Sequence, residues 1–212
     1  MIHAPGDQPV TRRARGAVRV PRGHRPAGLV AVSLVTGGCG LVYAAYRGYY
    51  GLGGTAGMFG TPVSPAQWRA VNLAAAALLL AVALLPVAAL PLWPRGWPRR
   101  TLLASCWVLT VGFVMHALVS DIQRVLSLAG VVQLRYPFFA AIDKHAADIQ
   151  DLMFNETWFL AEGLLWAVLA LMVLGPSPTR RWWAGTAIGA TAALTATGLL
   201  STLHVIGRVI VF

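Results

Sequence analysis

Charge is what this 212-residue chain has least of: Asp, Glu, Lys and Arg make up 11% of it, and only seven residues are acidic. A soluble domain carries about 25% charged residues. A chain that is 57% hydrophobic with so few charges cannot cover a globule in water, which excludes the ordinary soluble enzyme or binding module. Cysteine is scarce too. Cys39 and Cys106 both lie in apolar runs, with no CxxC and no Cys/His cluster. That excludes a disulfide framework and a zinc site and leaves two buried thiols. Lysine is rarer still, since Lys144 stands beside sixteen arginines, a bias of coding composition more than of chemistry. The chain also lacks the internal repeat of an inverted-repeat transporter and an A-x-A site to release its N-terminus as a signal peptide.

What is present is a series of apolar runs close to the ~20 residues that cross a bilayer as a helix. They cover about residues 27–46, 71–92, 102–120, 158–174 and 184–206. The expectation is an all-α integral membrane helix bundle, residues 26–212, of about five transmembrane helices. Ahead of it lies a basic, disordered N-terminal arm, residues 1–25, in which Pro and Gly separate the arginines and no apolar period develops. The turns at Pro94 and Pro176 add Arg95, Arg99, Arg100, Arg180 and Arg181. Alternate loops therefore hold the arginines on one side and nearly all the acids on the other. By the positive-inside bias the N-terminus is cytoplasmic, in a multi-pass protein of the cell membrane. The net charge of +10 then reads as topology, and no nucleic-acid partner is expected. Gly185 and Gly189, extended by Ala193, form a GxxxG pattern that predicts close helix packing. Residues 125–140 allow a second reading, as a segment that re-enters the membrane.

Six of the seven acids fall between His116 and Trp166: Asp121, Asp143, Asp148, Asp151, Glu156 and Glu162. Glu162 is the sharpest of them. It lies about a turn inside the fourth span, and a carboxylate at membrane depth costs ~2.5–3.5 kcal/mol on insertion scales, so it normally faces the protein interior and has a task. A carboxyl shielded from water keeps its proton and can donate it. Helical spacing places Asn155, Trp158 or Phe159, and Trp166 on the same face as Glu162. Glu156 opens that helix, where the helix dipole alone accounts for an acid. At the end of the third span His116 sits among apolar neighbours, and Asp121 is spaced to pair with Arg124. Tyr43, Tyr46, Arg47 and Tyr50 make an aromatic stripe at the end of the first span, as interfacial belts do. Ser201, His204 and Arg208 share a face at the end of the last. Asp143, Lys144, His145, Asp148 and Asp151 read as a solvated helix on the membrane surface, and their spacing matches no standard metal site.

Two stretches carry a resemblance. YRGYYGLGGTAGM, Tyr46 to Met58, resembles the YWALGGTWG-type signature that follows the first helix in a family of small bacterial membrane proteins. FNETWFLAEGLLW, Phe154 to Trp166, resembles the start of that family's last helix. The family is a domain of unknown function with about four spans, so the resemblance implies an architecture without an activity, and the fifth span lies outside it. In the kind of residue it places at membrane depth, the chain is also similar to membrane-bound terpene cyclases, which use buried carboxylates as proton donors.

Two functions follow as expectations. The first is a membrane-embedded enzyme for acid-initiated cyclisation of a prenyl chain. The catalytic candidates are Glu162, Glu156, Asp121 and His116, and Tyr43, Tyr46, Tyr50, Trp158 and Trp166 face a lipophilic small-molecule substrate drawn from the membrane lipid. It needs no metal and no cofactor. The second is a non-enzymatic transporter subunit, immunity protein or scaffold. A cavity ending on Glu162 favours the first, and Glu162 packed in an ion pair favours the second.

Overall fold

The computed structural model describes residues 27–92 and 96–203. The arm of residues 1–25, Arg95, His204 and Arg208 lie outside the described residues. Five helices are long and apolar enough to cross a membrane: α1 (Ala27–Gly51), α2 (Pro65–Ala89), α3 (Gly96–Leu128), a continuous helix over Lys144–Leu174, and α6 (Pro178–Thr202). The fourth of these is composite. It comprises α4 (Lys144–Gln150), a π-helical turn (Asp151–Glu156) and α5 (Thr157–Leu174). The expected all-α membrane bundle is what the chain forms.

Helix starts follow capping chemistry. Ser64 accepts from the Gln67 amide at 3.3 Å with Pro65 in the first turn, and Asp143 accepts from the Ala146 amide at 3.1 Å. Each supplies a partner to an otherwise unpaired first-turn N–H. α5 stops at Gly175, whose φ of 61° suits glycine.

In space the helices stand in the order α2, α1, α5, α3, α6, with α2 and α6 on the flanks. Lipid offers no hydrophobic drive between helices, so close backbone approach and dispersion must hold them. Glycine provides the approach twice. A Cβ on Gly40 of α1 would lie 2.9 Å from the Ala83 Cβ of α2, and one on Gly163 of α5 would lie 2.7 Å from a Val114 methyl of α3. Below these contacts Leu29, Cys106, Trp166, Leu169 and Val173 form a buried core toward the starts of α3 and α6. The predicted close packing of Gly185 and Gly189 is not made within the described chain, because nothing lies within 4 Å of a Cβ built on either.

The opposite end is capped. β1 (Gly60–Pro62) pairs antiparallel with β2 (Phe139–Ile142), joining the loop after α1 to the loop after α3. The Asp143 amide donates to the Phe59 carbonyl at 2.8 Å and the Val63 amide to the Phe138 carbonyl at 2.9 Å, which extends the ladder on both sides. Residues 129–138 are irregular and β2 follows, so residues 125–140 form no re-entrant helix.

Two boundaries differ from expectation. α3 runs on to Leu128, and the fourth helix begins at Lys144 instead of near Trp158. Hydropathy marks only the apolar runs as span, whereas the two helix ends carry polar groups that face each other. The segment from Asp143 to Asp151 is solvated on one face only: Asp143, Lys144 and His145 are exposed as expected, whereas Ala147 and Asp148 are buried.

Gly40→Ala should crowd both Ala83 and Glu162 and lower the thermal midpoint of the detergent-solubilised protein, by about 1–3 kcal/mol of stability. Gly38→Ala, with nothing within 4 Å of its new methyl, should leave the midpoint unchanged. Equal behaviour of the two variants in a melting experiment would contradict the α1–α2 contact.

Candidate active site

Beneath the cap the helices line a half-open cavity of about 360 Å³, inside the roughly 300–1,000 Å³ range of small-molecule sites. Its walls come from three helix ends. The tyrosine stripe of α1 turns inward with Tyr43, Tyr46 and Tyr50, and Arg47 joins them. From α3 come His116, Ser120, Gln123 and Arg124, and from the fourth helix Asp151, Asn155, Glu156 and Phe159. Trp68 of α2 and the residues around β1 and β2 form the roof.

The π-helical turn gathers the fourth-helix groups. Its wider winding, with i→i+5 hydrogen bonds, is common at functional sites, and Thr157 Oγ1 donates back to the Leu152 carbonyl, five residues earlier, at 2.8 Å. Asp151, Asn155 and Glu156 thus line the same cavity. Glu156 is 4% exposed. Its Oε2 stands 3.5 Å from His116 Nε2, which is longer than a good hydrogen bond, and that oxygen accepts no hydrogen bond among the described residues. A buried carboxyl beside an imidazole, with one oxygen still open, is equipped to give or take a proton at a third group placed between them. His116 is held edge-on to Phe159, with ring centroids 4.5 Å apart.

A chain of contacts sets the aromatic wall. Tyr43 stacks on Trp158 at 4.0 Å and 11°, and its hydroxyl donates to Asn155 Oδ1 at 3.1 Å. Asn155 donates to Asp151 Oδ1 at 2.6 Å, and Asp151 Oδ2 meets Arg124 Nη2 at 2.7 Å. Arg124 also contacts Asp148, with 3.4 Å between Nη1 and Oδ1. Asp148 accepts from Ser127 at 2.7 Å and takes a further hydrogen bond from the Tyr136 hydroxyl. Burial, and then that bond to Asp148, hold the Tyr136 phenol above its ordinary pKa, so it remains a donor at neutral pH. One arginine therefore links α3, the cap loop and the π turn.

The sequence candidates separate on this geometry. Glu156, His116, Tyr43, Tyr46 and Tyr50 come together around the cavity. Trp158 stands behind Tyr43 and donates to the Cys39 carbonyl at 3.2 Å. Glu162 and Trp166, both fully buried, lie deeper, away from the cavity lining, where Trp166 Nε1 donates to Glu162 Oε1 at 3.1 Å. Asp121 is half-buried outside the lining, and Arg124 pairs with Asp148 and Asp151 instead of with it. Sequence reasoning misses Asp148, Tyr136 and Trp68 as groups of the site. The acid-rich stretch contains the signal for Asp148, but nothing in the local pattern tells a buried carboxylate from a solvated one. Among the described residues no group of three or more His, Cys, Asp or Glu side chains is clustered as a metal ion would require.

Residues 40–165 match the model of a family described as a protein of unknown function (DUF3995). No curated protein and no solved structure matches the chain. The matched range contains every residue that lines the cavity and leaves out α6.

Asp148→Ala removes the buried carboxylate that Arg124, Ser127 and Tyr136 share, and should destabilise the protein by about 3–5 kcal/mol. Limited proteolysis should then cut residues 129–143 much faster than in the parent. Asp121→Asn should leave that rate unchanged, and matching rates for the two variants would refute the role given to Asp148.

Proposed function

The chain belongs to the DUF3995 family, and from its site we propose that it is a membrane-embedded acid–base enzyme acting on a lipophilic prenyl chain, with Glu156 and His116 as the reacting pair. The observation that carries this reading is the open Oε2 of a buried Glu156, beside His116, in a cavity walled by tyrosines. A substrate enters from the bilayer and lays its chain along Tyr43, Tyr46 and Phe159. The proton of the Glu156 carboxyl adds to one carbon of an alkene, whose π electrons form the new C–H bond. The cation left on the other carbon is attacked by a second alkene of the same chain, and a ring closes. Loss of a proton to the Glu156 carboxylate, directly or by way of His116, which then passes it on to Glu156, restores the acid, so the overall change is an isomerisation and consumes no co-reactant. Aromatic faces stabilise the passing cation by about 0.5–2 kcal/mol each when desolvated. On the positive-inside bias the reacting pair lies toward the outer face of the cell membrane, opposite the arginine-bearing starts of α3 and α6.

The proton donor in this reading is Glu156: Glu162 Oε2 is likewise without a hydrogen-bond partner among the described residues, but Glu162, enclosed deeper in the bundle, does not line the cavity. That same enclosure of Glu162 favours the second reading, a non-enzymatic transporter subunit, immunity protein or scaffold, in which buried polar groups serve packing alone.

Membranes containing the protein, incubated with farnesylated and geranylgeranylated acceptors, should yield isomeric cyclic products of unchanged mass. Glu156→Gln should reduce turnover by a factor on the order of 100 or more, the range of general acid catalysis, while the amount of folded protein stays the same. Glu162→Gln should retain turnover in whatever fraction remains folded. Products formed equally well by Glu156→Gln would remove Glu156 as the donor, whereas none formed by the parent would favour the non-enzymatic reading.

A further inference from the structure

The cavity contains more positive charge than its acids answer. Arg124 is engaged by Asp148 and Asp151. Glu156 faces His116. Arg47 and Arg135 also line the cavity, and among the described residues neither has an ion pair or a side-chain hydrogen bond. Arg47 is half-buried on the last turns of α1, between Tyr46 and Tyr50 in sequence and one turn beyond Tyr43. Arg135 stands on the irregular loop that roofs the cavity and is exposed. Neither guanidinium is answered by a carboxylate, and phosphate or carboxylate is the group its planar fork fits best.

We infer that Arg47 and Arg135 bind the anionic headgroup, a phosphate in the first instance, of an amphiphile whose apolar chain runs along the tyrosines toward His116 and Glu156. Two features support the assignment. The cavity lining combines the two arginines with the aromatic rings of Tyr43, Tyr46, Phe139 and Phe159, and an amphiphile needs both kinds of partner. A headgroup anion also neutralises Arg47, whose charge would otherwise oppose a cation developing beside Tyr43. Such an amphiphile is the substrate class of the reaction proposed above, and depends on that reading only for what happens after binding. A free prenyl phosphate and a bilayer phospholipid present the same group to the same arginines.

The test is a binding measurement that needs no turnover. Thermal unfolding of the full chain in a neutral, phosphate-free detergent is followed with farnesyl phosphate, farnesol, inorganic phosphate or phosphatidylglycerol added. Farnesyl phosphate should raise the midpoint at concentrations about tenfold below those at which farnesol does, as expected for a charge-assisted contact. Arg47→Gln and, separately, Arg135→Gln should each remove most of that difference. Arg135→Gln lies on an exposed loop and tests the idea even where Arg47→Gln fails to fold. Arg47-dependent protection by phosphatidylglycerol in place of farnesyl phosphate supports the site and identifies a bilayer lipid as its occupant. Equal protection by farnesol and farnesyl phosphate, protection by inorganic phosphate alone, or protection unchanged in both variants overturns the inference. Because binding is read here and product is read above, a headgroup site without cyclisation, or cyclisation without a headgroup site, is each a distinct result.

Discussion

The grip of Arg124 on Asp148 and Asp151 is the interaction on which the functional end of this bundle depends. Arg124 projects from the last turns of α3, Asp148 from α4 and Asp151 from the π turn, so one guanidinium fixes where the fourth helix begins relative to the third. Burial of an ion pair is no guarantee of net stability, because the desolvation of each charge costs several kcal/mol. Here the cost is offset by added donors, since Ser127 and Tyr136 both bond Asp148. The Tyr136 ring also lies under Arg124, 5.3 Å from its guanidinium carbon. The cluster holds the cap loop down, and the cap roofs the cavity. Its second carboxylate, Asp151, continues through Asn155 to the Tyr43 hydroxyl, so the rotamer of the aromatic wall is set by the same arginine.

Most of the architecture was legible because a bilayer is a demanding solvent. Apolar runs of span length, separated by Pro, Gly and Arg, can become little other than helices, and the five spans stand where those runs lie. Their ends were not legible. Hydropathy marks a span as finished at the first polar residues, yet Asp121 to Leu128 and Lys144 to Glu156 continue their helices, where Arg124 is matched across the bundle by Asp148 and Asp151. The π turn is likewise invisible to pattern, being a register change that tertiary contacts impose on a short segment. The cavity lining was half legible. Tyr43, Tyr46 and Tyr50 announce themselves by helical spacing, whereas Trp68 and Tyr136 arrive from loops and helix starts whose approach depends on the pairing of β1 with β2.

Glu156 and Glu162 show that depth in the membrane does not decide which acid lines the cavity. Glu162 is the deeper and the more apolar in its sequence neighbours, so it attracts the catalytic assignment. Depth also surrounds it: Gly40 lets α1 approach so closely that a Cβ there would lie 3.4 Å from Glu162 Oε1, and Trp166 takes the same oxygen. Glu156 sits about a turn and a half nearer the cap, where α1, α3 and the fourth helix diverge and the cap loops leave space. Its neighbours in sequence are polar, and a dipole contact at a helix start would account for it. Only the π turn, which gathers Glu156 with Asp151 and Asn155 around that space, separates it from an ordinary first-turn acid.

The flanking helices bound where function can lie. α2 and α6 present Leu78, Leu80, Leu84, Ile188 and Leu194 outward, as lipid-facing helices do, and each packs chiefly on one neighbour, α1 and α3 respectively. α2 nonetheless contributes Trp68 to the cavity roof through its first turn, whereas α6 contributes no described residue to it. The cavity is therefore the work of α1, α3 and the composite fourth helix, with α2 closing one side and α6 bracing the back of α3. Gly198 of α6 meets Val119 of α3, where a Cβ would come within 2.9 Å of a valine methyl, about one turn from His116 on the same helix. A brace at that point limits how far α3 can tilt, and with it how far His116 can move from Glu156. In a bundle whose helices gain little from leaving water, such paired close approaches on both sides of α3 are what keep a 3.5 Å acid–imidazole contact in place.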